Sequence, residues 1–212
     1  MVTDQPRPSR PARFPDLTAL IDARFADADL ADAVSALDAS SRAELAARTA
    51  AMVVAAARRN LPDAVPSEAA LVGLADDVGM ETLAALWRDA EPVSLAGALW
   101  ILYLLRQWCR DRGEEITQLW RAGEGYAPAE AAVAGVGSYA GADQVREMAD
   151  AVLRGAYQGD FAVALERAAA FFRVVAAGRA QRGPDAALAA GNERAAEHLA
   201  AAARAWRAGT LR

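Results

Sequence analysis

The chain has 212 residues, of which 57 are alanine, and its 23 positively charged side chains are all arginine because it contains no lysine. The formal net charge of -5 argues against a protein whose main partner is nucleic acid, because such affinity comes from neutralising phosphates. The single cysteine, Cys109, excludes an internal disulfide and fits a reducing cytoplasm, while the missing lysine is typical of coding bias in a high-GC bacterium.

Membrane insertion is not expected from the hydrophobic pattern. The longest apolar run, 93–105, has 13 residues, whereas a helix needs about 20 to span a bilayer. No apolar stretch near the N-terminus has the form of a secretory signal. We therefore interpret the apolar run as part of a buried core helix and predict a cytoplasmic protein.

The first part of the chain divides into a tail and two helices. Residues 1–15 alternate proline with arginine and have little to bury, so we predict a disordered tail followed by a single all-helical domain over 16–212. Apolar spacing predicts a first helix over 16–37. Ser41 and Glu44 then have the spacing of a capping box that begins the next helix, which continues to about residue 60.

The middle of the chain contains the strongest helix signal. Short helices are predicted over 67–75 and 81–90, and a longer one over 94–112, with Ser94 as its N-cap and Gly113 as its stop. Residues 95–105 of the longer helix are apolar on every side, which is typical of a helix enclosed by others.

Glycines are predicted to end or interrupt helices in the rest of the chain. Gly178 is predicted to end one helix, and Gly191 to interrupt the last one. The remaining predicted helices cover 114–122, 128–134, 143–157, 161–177 and 185–208. Since no segment alternates with a period of two, we predict an all-α, irregular, alanine-rich bundle of seven to ten helices around the buried central helix 94–112.

One segment resembles a known motif. Gly159-Asp160-Phe161-Ala162-Val163-Ala164-Leu165 is similar to the turn between the helices of a tetratricopeptide repeat. The resemblance covers seven residues and is not repeated at the 34-residue period of that family. It implies a tight helical hairpin at this position, and no peptide-binding role is transferred from it.

The sequence contains few residues that could form a metal site, a catalytic nucleophile or a phosphate-binding loop. One histidine, His198, and one cysteine cannot form the usual zinc or iron sites, and no serine lies in a nucleophile elbow. The adjacent Asp76 and Asp77 point about 100° apart on a helix, so we interpret them as solvated surface charge. The glycine-rich segment 135–141 follows no strand and is interpreted as a connector. We expect no cofactor and no metal.

The aromatic and arginine residues of the central helix form the one candidate site. Trp100 and Tyr103 could form a wall, and Arg106 and Arg110, four residues apart, could hold the anionic group of a small ligand. Glu115 could act as an acid or base. The alternative is that the aromatic residues are core anchors, that Arg110 pairs with Glu114, and that Arg106 pairs with a carboxylate from another helix.

Three functions follow from these features. The first is a non-enzymatic helical interaction or regulatory protein, with a protein partner or a second copy of itself docking on an alanine-rich face. The second is a protein or enzyme that binds a small anion at the site just described. The third is a DNA-associated regulator that uses Arg194, Arg204 and Arg207 of the last helix. The scarcity of reactive side chains favours the first function.

Overall fold

A computed structural model of the protein describes residues 29–58, 74–137, 141–158, 160–183 and 186–212. Three predictions lie wholly or mainly outside these residues: the tail over 1–15, most of the first helix over 16–37, and most of the short helix over 67–75.

The described residues form helices and contain no strand, which confirms the all-α prediction. In chain order the helices are α1 (Leu30–Ser35), α2 (Ala39–Arg58), α3 (Leu74–Val78), α4 (Met80–Trp87), α5 (Leu95–Asp111), α6 (Gly113–Gly123), α7 (Pro128–Ala134), α8 (Ala142–Gln158), α9 (Phe161–Arg182) and α10 (Ala186–Arg207). Alanine has the highest helix propensity of all residues, which is why so many short segments of this chain are helical.

Side-chain caps fix where two long helices begin. The hydroxyl of Ser94 accepts a hydrogen bond from the Gly97 amide at 3.1 Å, as predicted for the start of α5. Asp160 caps α9 by accepting from the Ala162 amide at 2.8 Å. These caps satisfy amides that have no partner within the first helical turn.

The predicted capping box at Ser41 is wrong. α2 begins at Ala39, and Asp38 rather than Ser41 satisfies its first turn. The Asp38 carboxylate accepts from the Ser41 amide at 2.9 Å and from the Ser41 hydroxyl at 2.8 Å. Ser41 is thus a hydrogen-bond donor inside the first turn, because an aspartate three residues earlier is an equally good cap former.

Two helices form the centre of the bundle. Residues 95–99 of α5 are buried without interruption, as predicted, although Leu104 further along is exposed. The second helix, α9, packs against α5, α6, α7, α8 and α10. Phe161, Leu165 and Phe172 are among its buried residues, and alanines fill the spaces between them.

Two glycines were interpreted wrongly as helix breakers. Gly178 lies inside α9, which continues to Arg182, and Gly191 lies inside α10, which is continuous. Gly178 allows a close approach of α9 to another helix rather than a change of chain direction. The hairpin implied by the tetratricopeptide-like turn is present, since α8 and α9 follow each other and are in contact.

Candidate functional site

The two arginines of α5 converge on one aspartate from α3. Arg106 and Arg110 lie one helical turn apart and face the same side of α5. Arg110 Nη1 donates to both carboxylate oxygens of Asp76, at 2.9 and 3.1 Å. Arg106 Nη2 donates to Oδ2 of the same residue at 3.2 Å. Asp76 therefore offsets the repulsion between two like charges on one helix face.

Arg106 also reaches a second carboxylate. Its side chain is only 4% exposed, and its Nε donates to Oδ1 of Asp150 on α8 at 2.7 Å. The guanidinium thus joins α3, α5 and α8. We call these four residues, Asp76, Arg106, Arg110 and Asp150, the arginine clamp. A buried cation needs such partners, because a charge removed from water without compensation is strongly destabilising.

Electrostatics favour the charged state of the clamp. Partial burial alone would raise the pKa of Asp76, but the hydrogen bonds and charges of Arg106 and Arg110 outweigh it and hold that pKa below its ordinary value of 3.8. Burial alone would lower the pKa of Arg106, but its hydrogen bonds to Asp76 and Asp150 outweigh this and raise it. Among the described atoms, only Nη1 of Arg106 is left buried without an acceptor in the clamp.

Cys109 lies on α5 between the two arginine positions and is fully buried. Burial raises the pKa of its thiol to about 12, and the negative charge of Asp150 adds to this effect while Arg146 opposes it. The group is therefore a neutral thiol near pH 7 and a poor nucleophile.

The two aromatic residues of the candidate site belong to the core. Tyr103 is fully buried, and its ring packs on Trp87 with centroids 6.1 Å apart. Trp87 in turn donates from Nε1 to the Thr49 hydroxyl on α2 at 2.9 Å. Trp100 is partly buried and packs against the same core. These side chains are in contact with other helices of the bundle.

Glu115 belongs to a different cluster. Its carboxylate accepts from Arg112 at 3.2 Å and from Arg179 of α9 at 3.3 Å. The guanidinium carbon of Arg179 also lies 5.5 Å from the ring centroid of Trp108, a cation–π arrangement. The structure therefore brings Arg106 and Arg110 together but gives Glu115 other partners, and Arg110 pairs with Asp76 rather than with Glu114.

Three cavities lie elsewhere in the described part of the chain. One of 370 Å³ is lined by residues of α1, α2, α4, the loop after α4 and the first turn of α5, together with Arg212. A second of 280 Å³ lies between α7, α9 and α10, and a third of 430 Å³ beside the turn before α7. None of these three is lined by Trp100, Tyr103, Arg106, Arg110 or Glu115.

The residues that complete the clamp were missed at the level of sequence. The sequence analysis predicts solvated surface charge at Asp76, and the sequence contains no signal for Asp150. They lie 30 and 44 positions from Arg106 along the chain. The only signal was indirect: two arginines on one helix face require an acidic partner.

No family model, curated protein or solved structure matches this chain. Its function is therefore inferred from the residues themselves. Within the described residues, no three histidine, cysteine, aspartate or glutamate side chains are grouped so as to hold a metal ion. Among the described helices, none combines the length and apolar character that crossing a bilayer would require.

The three C-terminal arginines of the DNA hypothesis differ in how free they are to contact a partner. Arg207 makes a two-pronged ion pair with Glu166 of α9, in which Nη2 donates to Oε2 at 2.8 Å and Nη1 donates to Oε1. The hydrogen bond from Arg207 lowers the pKa of Glu166. Arg194 and Arg204 are exposed on α10. One of the three cations of the DNA hypothesis is thus already matched by a carboxylate of the same chain.

Proposed function

We propose that this protein is a non-enzymatic helical interaction or regulatory protein of the cytoplasm, and that the arginine clamp holds its helices together instead of binding a ligand. The observation that carries this proposal is the position of Asp76, whose carboxylate accepts hydrogen bonds from both Arg106 and Arg110. Both guanidinium groups expected to recognise an anion are thus already paired with carboxylates of the same chain, although Nη1 of Arg106 has no acceptor.

Competition explains why this pairing argues against an anion site. A ligand carboxylate or phosphate would have to displace Asp76, which is tethered beside the arginines and therefore has a high effective concentration. It would also have to reach Arg106, whose side chain is almost completely buried. The three cavities described above open at other positions and are not lined by either arginine.

The potentially reactive side chains also favour a non-enzymatic role. The thiol of Cys109 is buried and neutral, with a pKa raised to about 12. The imidazole of His198 lies on α10, and among the described residues it belongs to no group of three histidine, cysteine, aspartate or glutamate side chains that could hold a metal ion. General acid–base or nucleophilic catalysis requires groups within hydrogen-bond reach of each other, and none of these forms such a set.

Exposed apolar side chains support an interaction role. Tyr126 is 67% exposed and Val133 is 52% exposed, and both belong to α7 or the turn before it. α7 is bordered by two of the three cavities. We interpret these apolar groups beside a concave surface as a candidate docking site for another protein.

The test is the thermal stability of the protein with and without inorganic phosphate and citrate. Both anions raise the stability of proteins non-specifically because they are excluded from the protein surface. We therefore expect either anion to shift the melting temperature of the wild type and of Arg110→Gln, which keeps the buried Arg106, by the same amount. A melting temperature that rises more with phosphate in the wild type than in Arg110→Gln would contradict the proposal and favour the anion-binding alternative, because ligand binding to the native state stabilises it.

A further inference from the structure

A groove with an alanine floor runs along α9. It has a volume of 280 Å³, and α7 and α10 form its walls. Ala169 and Ala170 of α9 and Ala200 of α10 line it, with Val133 of α7 half-exposed at its edge. Small side chains on the floor let the backbone or side chains of a partner approach closely, and the valine offers apolar surface that is not covered by this chain.

Two charges of opposite sign border this groove. Glu130 lies on the α7 wall and Arg173 on α9. Neither makes an ion pair or a side-chain hydrogen bond within the described residues. The third charged residue of the lining, Glu166, is already bound by Arg207. The lining of the groove therefore includes one negative and one positive group that have no ion-pair partner among the described residues.

We infer that the occupant of this groove is a second copy of the same chain, an inference that rests on the proposed interaction function and names its partner. In a two-fold symmetric dimer the same patch is used twice, so a residue i that contacts j is matched by a j that contacts i. Glu130 would then pair with the partner subunit's Arg173, and Arg173 with the partner subunit's Glu130, with the two Val133 side chains covered between them.

The charge pattern selects this occupant over others. A nucleic acid or a uniformly acidic segment would satisfy Arg173 and be repelled by Glu130, and a basic segment would do the reverse. Only a partner that carries both signs beside an apolar strip matches both groups, and a second copy of this patch does so by symmetry.

The size of the groove limits how strongly two copies of the chain can associate. A standard protein interface buries roughly 800 Å² on each partner, which is more than a groove of this volume can supply. The contact must extend along α9 to Val163, which is exposed and lies three residues before Glu166 on the same face. We expect a weak dimer that forms as protein concentration rises and dissociates as salt concentration rises.

The experiment is a measurement of molar mass by analytical ultracentrifugation over a range of protein concentrations. Wild type is expected to be dimeric at high concentration. Glu130→Arg and Arg173→Glu, which place like charges opposite each other, are each expected to be monomeric. An equimolar mixture of the two variants is expected to form a heterodimer, because each mismatched charge then meets an opposite one. This mixing result cannot arise from an ion pair within one chain.

Control variants distinguish a loss of dimerisation from a loss of folding. Glu81→Arg makes the same charge change on α4, away from the groove, and is expected to leave dimerisation unchanged. Glu130→Gln removes the charge with less strain on the first turn of α7 and is expected to weaken the dimer several-fold. All variants should keep the helical circular dichroism of the wild type.

Two results would overturn the inference: a wild type that is monomeric at every concentration, or a mixture of the two reversed variants that stays monomeric. Neither affects the proposed function, which fails only if phosphate or citrate stabilises the protein through Arg110. The failure of one is thus distinguishable from the failure of the other.

Discussion

Gly123 and Gly178 bring the backbones of α6 and α9 into direct contact. A Cβ atom on Gly123 would lie 1.9 Å from the carbonyl oxygen of Val174, and one on Gly178 would lie 1.9 Å from the carbonyl oxygen of Leu119. Each glycine thus leaves space for the main chain of the opposite helix. This crossing fixes how closely α6 can approach α9.

Alanine at either glycine should therefore destabilise the fold. In an unhindered helix, replacing glycine by alanine stabilises by up to about 1 kcal/mol, but here the added methyl group would overlap backbone atoms that cannot move aside. We expect Gly123→Ala and Gly178→Ala each to lower the free energy of unfolding by about 3 kcal/mol or more, measured by urea denaturation.

Gly155 provides the matched control for this prediction. It lies inside α8, and a Cβ there would meet only the Cβ of Ala164, at an ordinary 3.9 Å. Gly155→Ala should leave stability unchanged or raise it slightly. The double variant of Gly123 and Gly178 should cost less than the sum of the single variants, since both disrupt the same contact. Equal effects at all three glycines would contradict the close crossing.

The two clamp arginines should differ sharply in their contribution to stability. Arg106→Met leaves the Asp150 carboxylate without its partner and should lower the free energy of unfolding by about 3 kcal/mol or more. Arg110 is 43% exposed, and Arg110→Met should cost less than about 1 kcal/mol. Urea denaturation of the two variants checks this difference, and equal losses would show that burial does not govern the clamp.

Acid should weaken the clamp through Asp76. Its pKa in the folded protein is held below the ordinary value of 3.8, so the folded state binds its proton less readily than the unfolded state. The stabilisation is complete above the unfolded pKa and is lost as the pH falls through the lower, folded value. We expect wild-type stability to fall more steeply with acidification below about pH 4 than that of Asp76→Asn; parallel pH profiles would contradict this.

The thiol of Cys109 should not react in the native protein. With its pKa raised to about 12 and its side chain buried, both the thiolate fraction and access are low near pH 8. A disulfide reagent that reports free thiols should label the protein only after denaturation. Rapid labelling of the folded protein would place Cys109 at an accessible surface.

Sequence reasoning located most helices because their signals are local. The Ser94 cap and the apolar start of α5 each depend on residues within one or two turns. Glycine was ambiguous, because the same residue permits a left-handed turn or a close helix crossing. Gly178 was interpreted as a helix end, yet its backbone is not left-handed and its role is set by a helix more than 50 residues away.

The sequence predicts the arginine pair of the candidate site but not its acidic partners, because only the arginines are close together in the chain. The spacing of Arg106 and Arg110 placed them on one face, and their repulsion required an acid between them. Which acid supplies that charge depends on how α3 and α8 pack against α5, and no local pattern encodes this. Glu115 was grouped with them because it is near in sequence, whereas the start of α6 directs it to Arg179.

The central claim is that the arginine clamp joins helices and does not bind a ligand, and a double-mutant cycle between Arg106 and Asp150 tests it most directly. Unfolding free energies of the wild type, Arg106→Met, Asp150→Asn and the double variant give the coupling energy between the two side chains. We expect a favourable coupling of about 2 kcal/mol that is the same with and without phosphate. A coupling near zero, or one that phosphate abolishes, would contradict the account.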